Sequence, residues 1–516
     1  MHARDSYLLL TGATGLLGRS LLRDLAAAGR RIAVVVRRGK VGSAADRVDE
    51  LLDDWREVAG ADVDFPVVLE GDLAVEGLGL SADERAWIAT HVGEVVHSAA
   101  SLSFQRREAD DEPYTSNVTG TRNVLALCRA TGLRRLHHVS SAYVCGLRTG
   151  TCLETELDVG QTSGNDYERS KIISEQEALA AAGFDSVTVH RPSIIVGDLV
   201  HGFTNTFHGF YKPLRIVQPF VEAFVGAELE PGSLLEVLGM DGRETKNLVP
   251  VDWVSAVMTR IIMDESLHGR TYHLTSDAPT SVGTLCRVFE ELVVEMAAEI
   301  GRRRAADAAA GTKPSAGFDP ATLGRMFLDQ MHVYRAYWRD DPRFDAAHTR
   351  QAVPGLPAPA LDDETIRRLC RFAIAANFRW PPPGRGPRRP TARAALETRL
   401  GPASWQSARG PAIGLAASGS GGGQWTLAID GGHAASLHVG LPSGDVPTIR
   451  LSAAALADIL AGDERIETAR GRGGIAIEGG DAAGRDRALA VLGALAARRP
   501  ASGPSARVAV SSGRGG

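Results

Sequence analysis

The sequence predicts an α/β fold, a doubly wound parallel sheet with a helical substrate-binding part, followed by a smaller α+β domain. Three observations predict it. Up to about Gly202, short apolar strands alternate with amphipathic helices, the pattern of a parallel sheet covered on both faces. A glycine-rich turn, Thr11-Gly-Ala-Thr-Gly-Leu-Leu-Gly18, separates the first strand from the first helix. A run of proline, glycine and arginine, Pro381–Pro390, divides the chain before a stretch of different character.

Strands are expected at Tyr7–Leu10, Arg31–Val36, Pro66–Leu69, Glu94–His97, Leu136–Ser140 and Ser186–His190, each a short apolar or β-branched run. Between them, Leu16–Ala28 repeats leucine at helical spacing (Leu17, Leu21, Leu22, Leu25). Asn117–Ala130 is a second helix, capped at Ser116-Asn117. Past Gly202 the alternation gives way to loops, a Pro213–Phe224 segment and mixed helical material. The low-complexity stretch Gly301–Phe318 is expected to be a mobile loop or insertion, with helices resuming at Leu323–Trp338 and Asp362–Phe378. Beyond the linker, strands at Ala412–Ala417, Gln424–Ile429, Ala434–Val439, Thr448–Leu451 and Gly473–Ile477, with helices at Ala453–Leu460 and Asp486–Ala497, predict an antiparallel sheet with helices. The expected boundaries are 1–280 for the nucleotide-binding part, 281–380 for its helical C-terminal part, 381–391 for the linker, 392–500 for the α+β domain and 501–516 for a disordered tail.

The 516 residues exceed one ordinary core. With 44% hydrophobic and 23% charged residues the balance is that of a globular protein, and the net charge of −5 argues against a nucleic-acid partner. No apolar run reaches membrane-spanning length, and the chain enters its first strand with no room for a signal peptide, so a cytoplasmic location without a membrane span is expected. The five cysteines lack any paired spacing, which predicts reduced core residues and no metal site.

The glycine turn has the strand before it and the helix after it that a pyrophosphate cradle needs: glycines admit a tight turn, and the helix N-terminus offers free amides. Gly12, Thr14, Gly15, Leu16, Leu17 and Gly18 are the expected cofactor contacts, and the fold is accordingly Rossmann-type. Where an acidic residue would hold a ribose 2′-hydroxyl, the second strand runs into Arg37-Arg38, and Arg19 could reach the same place. Guanidiniums there select a 2′-phosphate, so NADPH is the expected cofactor.

Tyr167-Glu-Arg-Ser-Lys171 sets a phenol and an ammonium one helical turn apart. The cation is expected to lower the phenol's pKa from about 10 and make it a proton donor near neutrality. At the end of the fifth strand, Ser141, with Ser140 as rival, can hydrogen-bond a substrate oxygen beside Tyr167.

With Gly71-Asp-Leu73, His97-Ser-Ala-Ala100, Asn117-Val-Thr-Gly-Thr121 and Arg191-Pro-Ser-Ile-Ile-Val-Gly197 added to these motifs, residues 6–280 resemble the extended short-chain dehydrogenase/reductases. The resemblance implies that Asp72 and Leu73 flank the adenine. It likewise sets Ser98, Ala99, Ala100, Pro192, Ser193 and Ile194 near ribose and nicotinamide, with Tyr167 and Lys171 on the cofactor as well. Val96–Phe104, Gly120–Leu125 and Asn247–Val254 resemble the thioester-reductase and fatty acyl-CoA reductase branch, as Phe344–Phe378 does more loosely; Ser140-Ser141 departs from its frequent Ser-Thr. That branch implies an acyl-CoA or acyl carrier protein thioester reduced to aldehyde, and onward to alcohol in some members. Residues 392–500 are similar to the sterol carrier protein type 2 (lipid-transfer) family, which implies a lipid ligand there. A purely structural or dimerising module fits those residues equally. Two other readings stand beside the thioester one: an NADP-dependent ketone/hydroxyl oxidoreductase on a sterol-like or polyketide substrate, and a non-catalytic lipid-binding protein.

Overall fold

A computed structural model describes residues 6–40, 42–59, 63–106, 111–225, 232–308, 320–380 and 391–498. The expected linker at 381–390 and the expected tail at 501–516 lie outside the described residues. The chain divides into two compact units: residues 1–60 with 68–386, and residues 61–67 with 387–516.

The first unit is built on seven parallel strands: β1 (Tyr7–Thr11), β2 (Arg31–Val36), β3 (Val67–Glu70), β4 (Val92–His97), β5 (Arg135–Val139), β6 (Ser186–Pro192) and β7 (Thr271–Leu274). Their order is β7-β6-β5-β4-β1-β2-β3, the doubly wound sheet expected from the alternation. β7 was not anticipated; its four residues, Thr-Tyr-His-Leu, are too few and too polar to stand out as a strand. Helices α1 (Leu16–Ala27), α2 (Ala44–Ala59), α3 (Ala82–His91), α4 (Gly120–Thr131) and α5 (Asp166–Leu179) cover the sheet. α1 and α4 bury their leucine and valine stripes and face polar residues outward.

Two expectations change. Ser116 and Asn117 do not cap α4, because the chain is already helical at Tyr114 and passes through one wide turn, Thr115–Thr119, into the helix. Residues 301–308 are not a loop. They finish a long helix, Val282–Ala308, which the alanines favour and which Arg302 and Arg303 lace by pairing with Glu299 one turn back.

The second unit has its own apolar core, including Leu415, Leu427, Ile449, Leu456 and Leu492. Strands Ala412–Ser418, Gly423–Asp430 and His433–Val439 form an antiparallel meander. Thr448–Ser452 then returns to the far side of the first of these and pairs with it in parallel, so the expected antiparallel sheet is mixed. Helices Ala392–Leu400 and Ile466–Gly471 complete the unit beside the two that were expected. All five cysteines are free and buried, and no helix among the described residues is long and apolar enough to cross a membrane.

Candidate active site

β1 ends in the glycine turn, where Gly12 sits at φ +78, open to glycine but strained for other residues. A Cβ on Gly12 would stand 2.6 Å from the Ala99 amide nitrogen, and one on Gly18 would stand 2.0 Å from the Gly12 carbonyl oxygen. The turn thus folds flat against the segment after β4, and its backbone stays open to a ligand. α1 begins with Gly15 as N-cap and no side chain on its first amides, the arrangement that receives a phosphate. Beneath the turn, the His97 ring lies 2.8 Å from Thr11 Oγ1 and 3.0 Å from Thr121 Oγ1. Burial lowers the pKa of His97 to about 3, so the ring is a neutral brace between β1 and α4.

At the end of β2, Arg37 is exposed and 4.0 Å from Asp72, while Arg38 pairs with Glu70 at 2.7 Å. Arg47, on α2, was not anticipated: it donates to the Arg37 carbonyl at 2.8 Å and to Thr14 Oγ1 at 3.1 Å. It therefore joins the strand end to the glycine turn, and no local motif marks it. Arg19 lies elsewhere than expected. It is buried, paired with Asp54 at 2.8 Å and stacked over Phe203, because its place on α1 aims it at the helix packing and not at the strand ends.

Ser141, Tyr167 and Lys171 meet on the wall of one cavity of about 590 Å³. Gly12, Gly15, Leu16, Leu17, Gly18, Ser98, Ala100, Pro192, Ser193 and Ile194 line it too. Thr14, Arg19, Arg37, Arg38, Asp72, Leu73 and Ala99 are not on its wall. α5, capped by the Asn165 side chain, carries Tyr167 and Lys171 on one face. Ser170 ties back to the Tyr167 carbonyl and receives Asn117 at 2.9 Å, joining α5 to the wide turn Thr115–Thr119 that leads into α4. Of the two serines, Ser141 is the one that acts on the Tyr167 phenol, lowering its pKa, and the Ser140 hydroxyl has no partner among the described residues.

Burial pushes the Tyr167 phenol up to about 12, while the Ser141 hydrogen bond pulls it down. Lys171 does not act on the phenol as expected, because its ammonium donates to the Val139 carbonyl at 2.7 Å. Burial lowers Lys171 to about 8, opposed by Glu175. The remaining cavity wall is largely apolar, with Leu102, Phe104, Phe210, Leu285, Phe289 and Met331 among its residues. Tyr143 and Lys246, which no local motif marks, add polar groups to it. Away from this site, ligand-capable atoms of Glu94, His137 and His268 lie within 4.8 Å of one another, but the Arg30 guanidinium already pairs with Glu94.

Residues 10–258 match the NAD-binding family described as Male sterility protein. The chain is 27% identical over 315 residues to nonribosomal peptide synthetase asaC of Aspergillus flavus, which aligns with 57% of this chain and 29% of that protein. It is 26% identical over 285 residues to fatty acyl-CoA reductase wat of Drosophila melanogaster, 49% of this chain and 53% of that one. The chain thus spans about half or less of the length of these two relatives. Sterol demethylase protein B of Methylococcus capsulatus is 29% identical over 293 residues, 55% of this chain and 74% of that one. Among solved structures, the terminal R domain of the myxalamid biosynthetic pathway superposes with a TM-score of 0.55 at 23% identity. That match covers 74% of this chain and 94% of that one, a likeness of fold. The family match lies almost wholly within the first unit, and the likeness to the solved R domain is one of fold.

Proposed function

We propose that this chain, whose residues 10–258 match the male sterility protein family, is an NADPH-dependent reductase of lipophilic acyl thioesters. The observation that carries the reading is the convergence of Ser141, Tyr167, Lys171 and the glycine turn on one cavity whose far wall is apolar. The glycine turn fits a pyrophosphate: without Cβ atoms at Gly12 and Gly18 the backbone packs tightly on itself and on Ala99, and α1 begins after Gly15 with no side chain on its first amides. Arg37, Arg38 and Arg47 fit a 2′-phosphate, which a carboxylate would repel.

NADPH held by the glycine turn, Arg37, Arg38 and Arg47 would supply the hydride that the thioester carbonyl carbon takes up. Ser141 and Tyr167 donate hydrogen bonds to the oxygen as charge builds on it. Tyr167 is neutral and protonated below about 12, so it can donate throughout the working range. Lys171, one turn along α5 from Tyr167, supplies a positive charge to the cavity wall while it remains protonated. The hemithioacetal collapses, expels the thiol and leaves the aldehyde, with the acyl chain against Phe104, Phe210 and Phe289. The carrier is coenzyme A or an acyl carrier protein. The second unit, similar in sequence to lipid-transfer domains, would hold a lipophile.

The test is thiol release from a panel of acyl-CoA and acyl-pantetheine thioesters with the full chain and NADPH. Matched NADPH oxidation and free thiol are expected, and no thiol from any thioester would sink the reading. A second reading, alcohol–ketone interconversion on a sterol-like substrate, is favoured by the similarity to sterol demethylase protein B and predicts oxidation of NADPH without thiol.

A further inference from the structure

Asp341 lies beyond the matched region, in the segment between the turn His332–Tyr337 and the short strand Arg343–Phe344. Its carboxylate is buried, with 5% of the side chain exposed, and it collects three donors. Tyr143 donates its hydroxyl at 2.6 Å, the Asn247 amide donates at 2.9 Å, and the Lys246 ammonium pairs at 2.9 Å. Two of these donors, Tyr143 and Lys246, line the cavity. The Tyr143 amide donates in turn to Ser141 Oγ at 3.2 Å, within the one turn, Ala142–Cys145, that follows Ser141.

Neighbours of Asp341 reinforce the hold. Arg339 donates to the Gly146 and Leu147 carbonyls at 2.9 Å each, just after that turn. The Tyr337 hydroxyl receives Asn165, the N-cap of the helix carrying Tyr167 and Lys171, at 3.1 Å, and its ring packs edge-on against Tyr143 at 5.4 Å. One short segment therefore grips both parts of the site, the Ser141 turn and the start of α5.

We propose that Asp341 is a positioning residue of the reductase site: through Tyr143 it fixes the turn that aims the Ser141 hydroxyl, and through Lys246 it sets an ion pair on the cavity wall. A charged carboxylate suits this task, because hydrogen bonds to it are shorter and stronger than to a neutral amide. The inference rests on the reading of Ser141 as an oxyanion donor, but not on the substrate being a thioester.

Asp341→Asn, Tyr143→Phe and the double variant test it in the full chain. Each single change is expected to lower kcat roughly 10–100-fold with KM for the acyl substrate moved less than about twofold, the signature of misplaced reacting groups. The double variant is expected to be no slower than the worse single, since Asp341 acts on the Ser141 turn through the same Tyr143 bond that Tyr143→Phe removes. Backbone amides of residues 142–148 are expected to exchange faster in Asp341→Asn, with those of α1 unchanged. Unchanged kcat, losses that multiply in the double variant, or unchanged exchange at 142–148 would each overturn the proposal. Wild-type protein that reduces aldehydes but releases no thiol overturns the thioester reading alone, because the same ratios are then read on the aldehyde. If it reduces nothing, the exchange measurement decides.

Discussion

Burial holds the Lys171 ammonium at about 8 in the folded chain, against 10.5 for an unhindered lysine. A lowered lysine pKa means that folding must keep a proton it would rather release, so the penalty is full below about 8 and fades as pH rises towards 10.5. Lys171→Met is therefore expected to be inactive yet to melt above wild type at pH 7, with the gap closing by pH 10; a mutant that melts lower at pH 7 would contradict this. Tyr167→Phe removes the proton donor and is expected to slow turnover by about 10²–10⁴-fold while NADPH binding, read by fluorescence, is kept. Arg47→Ala should weaken NADPH binding by about tenfold and leave NADH binding unchanged. That Tyr167, Lys171 and the glycine turn share one cavity wall was legible from local spacing, but the turn of the Lys171 ammonium to the Val139 carbonyl was not. Nor were Arg47 and Asp341, since each acts across long stretches of chain on a partner that only the fold brings near.

Among the elements, the long helix Val282–Ala308 sets the far wall of the cavity through Leu285, Cys286 and Phe289. Leu285→Trp should fill that end and raise KM for long acyl chains while short chains are turned over as before, measured on a chain-length series. Periodicity located six of the seven strands of the parallel sheet to within two residues, because burial of both faces leaves a continuous apolar run, whereas helices α2 and α3 were not singled out. Pairing left no such trace. The parallel return of Thr448–Ser452 beside Ala412–Ser418 depends on which edge of the meander the chain crosses to, and nothing within either strand encodes that. Residues 301–308 misled for the opposite reason: alanine and arginine look featureless in sequence, yet both are strong helix formers.

For the molecule as a whole, the discontinuity of the second unit matters most. Phe65 is 1% exposed, the Arg393 guanidinium lies 4.7 Å from its ring centre, and Gln424 donates to its carbonyl at 3.0 Å. Gly419 donates likewise to the Val63 carbonyl at 2.9 Å. Phe65→Ala is expected to cost the second unit about 3 kcal/mol, seen as a lower melting transition of the full chain. A chain cut after residue 386 should bind a hydrophobic dye more strongly than the full one, through a Phe65 that has lost its cover. Composition and the proline-rich run marked the second unit in the sequence, but membership of residues 61–67 in it rests on contacts that span over 300 residues.

That separation also has a schedule. Residues 61–67 leave the ribosome more than 300 residues ahead of the rest of their unit. At about 5–20 residues per second they wait roughly 15–60 s for their partners. During that interval Val63 and Phe65 are apolar groups without a home, on a nascent chain whose first sheet is already able to form. A holding chaperone would find its target there, between α2 and β3, and synonymous codons that slow or hasten the intervening stretch would lengthen or shorten the exposure.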